Sequence, residues 1–363
     1  MSLTINPIAL LKDVRAKAMG FFFTQRKTSQ PSQTVSVDLG QSHLMVLGLE
    51  KKNENLEIKH FYIEPRPGSL ETTSERLHAI FKQENLDSKN VRVGLNGQGV
   101  VVRILNFPQM KKDDFASAIR YEIEKYIPFK SSEVIIDFQI LKENISGPSG
   151  KMMEVLLVAA KQSEVYQLLR VLQNADIETK QIDVSAFAIA NFLEYLLPEA
   201  REGTIGFLDM GTEATIFGIL SMGKPVFIRE ISFGGVDIVK LLKRKLGLEQ
   251  EAVRAMQRDA SKATPDFHAV VNQALESFLN EVKLSLGYYV NHIADAKPLQ
   301  SLYLMGGGSH FVSDLNLLEG EVKVPVRHPE IFPRVVFSPH LDADLLKKNE
   351  DILPVALGLC LRP

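Results

Sequence analysis

The most constraining feature of this chain is a pattern that occurs twice. The apolar run Val35-Ser36-Val37-Asp38-Leu39-Gly40-Gln41-Ser42 contains an aspartate followed two positions later by a glycine. The second half of the chain repeats it as Ile205-Gly206-Phe207-Leu208-Asp209-Met210-Gly211-Thr212. Each copy reads as a buried strand running into a tight turn. Two copies in matched surroundings point to two related halves, each presenting one turn to a shared cleft.

The rest of the chain is compatible with that arrangement. Its 363 residues suffice for two ordinary domains. A net charge of −2 gives no overall attraction to nucleic acid. The single Cys360 excludes an internal disulfide framework and any cysteine-rich metal site, which fits a reducing, cytoplasmic compartment. No apolar run approaches the ~18–20 residues that span a bilayer, and no secretory signal is read at the N-terminus.

Residues 1–33 are basic, and Leu11, Val14, Ala18 and Phe21 recur there at helical spacing. Two readings stay open: an amphipathic helix resting on an anionic membrane or a partner, and a tail or helix belonging to its own domain. Strands are expected at 35–39, 44–49 and 56–63 as a meander, with a helix over 70–84 capped by Ser69 and a strand at 91–95. A β-α-β-β-α block follows: strand 100–105, helix 111–126 stopped by Ile127-Pro128-Phe129, strands 134–140 and 155–160 separated by a loop at 143–151, and helix 163–174. After a helix at 185–197 the opening meander is repeated from Thr204, with strands at 214–220 and 226–232. Helices are expected at 236–246 and over most of 249–295. A strand at 300–305 then runs into Gly306-Gly307-Gly308-Ser309 and a helix, and a helix at 354–361 ends the chain.

Four motifs carry candidate chemistry. The first turn presents the backbone N–H groups of Gly40, Gln41 and Ser42 to a phosphate, and Asp38 is placed to hold Mg2+ through water. Taken alone, this is equally a hairpin turn with a capping aspartate. The second turn adds the hydroxyls of Thr212 and Thr215 to Asp209 and Gly211, which makes a paired phosphate clamp a specific idea. Gly306, Gly307 and Gly308 let a planar group approach the backbone closely. On the helix at 277–292, Glu281, Ser285 and Tyr288 share one face, suited to a ribose pocket or simply to solvent or another domain. The eight histidines show no paired metal spacing; His43, His310 and His340 read as isolated structural or surface groups. Ser309-His310 has no aspartate placed by spacing to complete a triad.

The order of these motifs resembles the actin-like ATPase superfamily, which includes actin, Hsp70, sugar kinases and FtsA. Within it, Tyr121-Glu122-Ile123-Glu124-Lys125-Tyr126-Ile127-Pro128-Phe129 is similar to the signature of the PilM-type pilus assembly family. The same holds for Val155-Leu156-Leu157-Val158-Ala159-Ala160-Lys161, Ile182-Asp183-Val184-Ser185-Ala186-Phe187-Ala188, Glu281-Val282-Lys283-Leu284-Ser285-Leu286 and Pro354-Val355-Ala356-Leu357-Gly358-Leu359. The resemblance covers roughly residues 34–362.

It implies an α/β chain with the duplicated, ribonuclease H-like actin fold: two lobes around a nucleotide cleft. The implied subdomains are a first actin-like one (34–97 and 181–202), an inserted one (98–180), a second actin-like one (203–240 and 299–363) and a helical one (241–298). The implied cofactors are ATP or ADP and Mg2+, on Asp38, Gly40, Gln41, Ser42, Asp209, Gly211, Thr212, Thr215, Glu281, Ser285, Gly306, Gly307 and Gly308. Asp38 and Asp209 would hold the metal through water. The implied function is a cytoplasmic ATP-binding scaffold, peripheral on the inner membrane, of the type IV pilus assembly complex. It binds the cytoplasmic N-terminal peptide of a PilN-like membrane protein. Other pilus assembly proteins, including the motor ATPase, and a ring-shaped homo-oligomer belong to the same expectation. The alternatives are an L-type type II secretion scaffold, an FtsA-like membrane-associated filament protein, and an active actin-fold ATPase or kinase.

One departure from the family pattern matters. The first phosphate loop usually has Ser or Thr after its Gly and a Lys on the returning strand. Here Gln41 follows Gly40, Ser42 comes one place late, and Met45 takes the lysine place. Exchanging Lys for Met removes a charge-assisted contact of ~1.5–3 kcal/mol, so nucleotide binding is expected ahead of efficient hydrolysis.

Overall fold

The computed structural model describes residues 33–362 apart from 53–54, 98, 148–149, 259–261 and 294. The basic amphipathic segment expected at residues 1–33 therefore lies outside the described residues, except for Gln33. The chain divides into two compact units, residues 68–184 and residues 33–67 with 185–362.

The larger unit opens with the expected meander. Strands β1 (Gln33–Leu39), β2 (His43–Lys52) and β3 (Asn55–Pro65) pair antiparallel, with Asp38 opposite Met45 and Met45 opposite Ile63. Residues 34–39 are all buried, as in a strand covered on both faces. Side chains alternate along a strand, so Thr34, Ser36 and Asp38 share one face.

The smaller unit holds a parallel pair, β4 (Val91–Leu95) and β8 (Thr179–Val184), and a separate antiparallel sheet. That sheet is β5 (Val100–Pro108), β6 (Val134–Gly147) and β7 (Gly150–Lys161) in the order β5-β7-β6. The helix Lys112–Glu122 covers it through an aromatic cluster in which Phe107–Phe115 and Phe115–Phe138 meet edge to face at 4.8 Å. The loop expected at 143–151 is corrected. β6 continues to Gly147 and β7 begins at Gly150. The Asn and Gly residues read as loop chemistry sit in a bulged hairpin, with register shifts between Ile140 and Ile145 and a φ of 58° at Asn144.

Returning to the larger unit, β9 (Thr204–Met210), β10 (Thr215–Ser221) and β11 (Lys224–Ile231) repeat the opening meander. β12 (Ser301–Met305) adds parallel to β9, and β13 (Val326–Arg327) to β12. β14 (Val335–Phe337) adds parallel to β3. The glycine stretch runs into a single tight turn at Ser309–Phe311, and the next α-helix starts only at Asn316, which corrects the expected direct passage into a helix. No helix among the described residues is long and apolar enough to cross a membrane.

Two apolar helices, Ser185–Leu196 and Leu353–Leu361, carry the core of this unit. Ala356, Leu357 and Cys360 pack with Met45, Leu47 and Phe192, whereas Val355 and Leu359 pack with Ile205, Phe207 and Ala188. The Ser36 hydroxyl donates to the Ala356 carbonyl at 2.9 Å. A side chain on Gly358 would overlap the Ala188 backbone, so glycine sets how closely the two helices approach. Gly358→Ala is therefore expected to destabilise the protein by about 1–3 kcal/mol through overpacking, read as a lowered midpoint of urea unfolding.

Candidate functional site

Both Asp-x-Gly turns lie in the larger unit, each at the end of the strand that the pattern predicted. In the first, Asp38 is buried on the face of β1 that meets the helix Leu353–Leu361, while Gln41 and Ser42 are exposed at the tip. Arg66 clamps this turn: Nη1 donates to the carbonyls of Leu39 at 3.2 Å and Gly40 at 2.9 Å, and its backbone N–H donates to Ser42 O at 3.1 Å. With those carbonyls engaged, the N–H groups of Gly40, Gln41 and Ser42 remain without an acceptor among the described residues. Such a row of free amides suits an anion.

The second turn is held by its own carbonyls. Met210 O accepts from Gly308 N–H at 2.7 Å, Gly211 O from Gly235 N–H at 3.0 Å, and Thr212 O from Val236 N–H at 2.8 Å. The glycine loop is thus fastened directly onto the Asp209 turn. Gly306 has a φ of 88°, and its Cα faces the Asp209 carboxylate so closely that any side chain would collide with it. Gly306 N–H donates to Asp351 O at 2.8 Å, Gly308 is buried, and Gly307 is exposed.

The electrostatics join the two turns. Burial first, and the charge of Asp38 second, raise the Asp209 pKa from 3.8 to about 7, with His43 acting in the opposite direction. His43 Nε2 lies 3.2 Å from Asp38 Oδ2. Burial works to lower the His43 pKa but is outweighed by the hydrogen bond and charge of Asp38 and the charge of Asp209, so the net shift is upward. Asp38 Oδ1 is buried with no hydrogen-bond partner among the described residues. Two facing carboxylates, one with an orphaned oxygen, form a donor set that fits a hard divalent cation bound through oxygen.

Other sequence-predicted residues are placed differently. Thr215 pairs with Met210 and so shares the face opposite to Asp209; its hydroxyl donates to Phe233 O at 2.8 Å. Glu281 and Ser285 lie on the helix Pro265–His292, which packs on that same opposite face. The Ser285 hydroxyl donates to the Glu281 carbonyl at 2.6 Å, and the Glu281 carboxylate pairs with Arg229 at 3.1 Å. No hydrogen bond joins either residue to the two turns among the described residues.

Several residues of the site escaped the sequence reading. His43 is not isolated, since it bonds Asp38. His310 is not isolated either: its Nε2 lies 3.3 Å from Asp351 Oδ2, and Asp351 Oδ1 lies 3.8 Å from His328 Nδ1. The hydroxyl of Ser309 takes no part in that pair. Glu230 sits across Ile216 from Asp209 on one face of the sheet, and burial raises its pKa to about 7. The closeness of Asp38 and His43 in one hairpin, with Arg66 just past the next strand of the meander, was the available signal for the first group.

A sequence model of the type IV pilus assembly protein PilM matches residues 36–363. The chain belongs to the PilM family. A solved PilM–PilN type IV pilus biogenesis complex is similar at 23% identity, with a TM-score of 0.78 over 92% of this chain and 100% of that chain. The ethanolamine utilization protein EutJ from Carboxydothermus hydrogenoformans follows the same fold at 12% identity, with a TM-score of 0.54 over 97% and 98%. So does MreB5 of Spiroplasma citri bound to ADP, at 12% identity, with a TM-score of 0.53 over 91% and 95%. The fold of this PilM-family chain is the actin-like ATPase fold expected from its motif order.

The raised carboxylate gives a pH dependence with a definite sign. The folded Asp209 holds its proton up to about pH 7, well above the ordinary carboxylate range, so folding stability falls as pH rises through that window. His43, also raised, contributes stability that is lost as pH rises through its folded pKa, and the raised Glu230 acts in the same direction as Asp209. The ligand-free protein is expected to be more stable at pH 5.5 than at pH 8. Asp209→Asn is expected to shrink that difference by about 2 kcal/mol in urea unfolding at the two pH values.

Proposed function

We propose that this PilM-family protein binds ATP or ADP with Mg2+ between its two Asp-x-Gly turns and works as a nucleotide-dependent scaffold of type IV pilus assembly. The observation that carries the nucleotide reading is the pair of coupled carboxylates, Asp38 and Asp209, with Asp38 Oδ1 buried and unpartnered. Asp209 faces the glycine loop at Gly306, where no side chain fits. Asp38 and Asp209 would hold the cation through water, and the cation would neutralise the phosphates. The free amides of Gly40, Gln41 and Ser42, with Thr212 in the second turn, would take phosphate oxygens, whereas the Gly211 N–H is held by Ala214 O at 2.9 Å. Gly306, Gly307 and Gly308 would admit the base and sugar. MreB5 of Spiroplasma citri, which shares the fold, has been solved with ADP and with AMPPNP.

The proposed partner is the N-terminal cytoplasmic peptide of a PilN-like membrane protein, which would hold this chain on the cytoplasmic side of the inner membrane among the other assembly proteins. The solved PilM–PilN complex supports a partner of that kind.

Two measurements test the reading. Asp209→Ala is expected to weaken Mg-ATP binding in titration calorimetry at least tenfold, about 1.4 kcal/mol, while unfolding remains cooperative; unchanged affinity would remove the site assignment. A synthetic PilN-type N-terminal peptide is expected to bind saturably in fluorescence anisotropy, and no binding at high micromolar protein would count against the scaffold role.

A further inference from the structure

The lysine place of the first hairpin holds Met45, and the structure shows where that side chain goes. Met45 is fully buried among Leu47, Leu49, Phe192 and Ala356. It stands directly across from Asp38 and offers the carboxylate no donor. His43 lies two positions before Met45 on the same strand, hence on the same face, diagonal to Asp38. From there its ring reaches Asp38: Nε2 is 3.2 Å from Oδ2. A carboxylate oxygen can only accept, so Nε2 carries the proton of this bond. The ring edge packs against Gly40 at the spot where any side chain there would point, so the glycine of the turn makes room for the histidine. The two oxygens of Asp38 thereby become unequal. Oδ2 is held by His43, and Oδ1 is buried with no partner among the described residues, in a field that also includes Asp209.

We propose that His43 is a positioning residue that grips Asp38 by Oδ2 and turns Oδ1 towards a bound divalent cation. This rests on the nucleotide and Mg2+ reading above and goes beyond it by naming what replaces the missing lysine. His43 acts one bond back, by fixing the carboxylate that would hold the cation's water, as outer hydrogen bonds do around metal sites. The consequence is a site whose affinity for the cation, more than for the nucleotide alone, depends on one imidazole.

The test uses the full chain saturated with ADP, with Mn2+ as the probe, counted by electron paramagnetic resonance. ADP affinity in EDTA is measured beside it. His43→Ala is expected to weaken Mn2+ binding 10- to 100-fold, with ADP affinity in EDTA changed less than threefold. His43→Gln, whose amide N–H reaches the Nε2 position, is expected to stay within about threefold of wild type. His43→Asn, whose amide reaches only the Nδ1 position, is expected to resemble Ala. The Gln–Asn contrast carries the test if Ala fails to fold. Mn2+ affinity that is unchanged in Ala and Asn overturns the inference. So does an equal loss in EDTA and in Mn2+, which is what a purely structural role would give. Wild-type protein that binds no ADP under either condition overturns the nucleotide reading and this inference together, whereas a wild type that binds and is matched by Ala overturns this inference alone.

Discussion

The larger unit depends on one contact, the close approach of the helices Ser185–Leu196 and Leu353–Leu361 at Ala188 and Gly358. Both helices are buried along nearly their whole length, as a helix that is apolar on all sides must be. The C-terminal helix serves two sheets at once. Ala356, Leu357 and Cys360 close the β1–β3 meander, and Val355 and Leu359 close the β9–β11 meander. Because each sheet turns the same face inward, the aspartates at the ends of β1 and β9 are brought within electrostatic range of each other.

That packing creates the central tension of the site. Burying one carboxylate raises its pKa, and placing a second one nearby raises it further. The chain answers only in part, with one imidazole on one oxygen of Asp38. The remainder is left as a raised Asp209 and an orphaned oxygen, which is the state a cation would relieve. The carbonyls of the surrounding turns are engaged within the chain: Arg66 occupies those of the first turn, and Gly308, Gly235 and Val236 occupy those of the second.

Much of the fold was legible along the chain. Apolar runs ending in Asp-x-Gly marked β1 and β9, and Ser69 marked the start of the helix Leu70–Gln83, where its side chain accepts from Thr72 N–H. The failures share a cause. Asn144, Gly147 and Gly150 have loop chemistry, yet they form a bulged hairpin, because pairing with a long partner strand outweighs local preference. The three glycines after β12 were read with a helix behind them, yet a tight turn follows, tied back to Met210 and Asp351 by hydrogen bonds between residues far apart in sequence.

The sequence by itself determined the two strand-turn units, their duplication and the residue types at their tips, because strand period and turn chemistry are local properties. It also showed methionine at position 45, where the family resemblance leads one to expect a lysine. Only the tertiary structure decided which groups face each other. It buried Met45 in the core, set His43 diagonally on Asp38, turned Thr215 to the far face and used the Ser285 hydroxyl within its own helix. These outcomes follow from cross-strand register and from which face a sheet buries, and both are set by packing between segments that are distant along the chain.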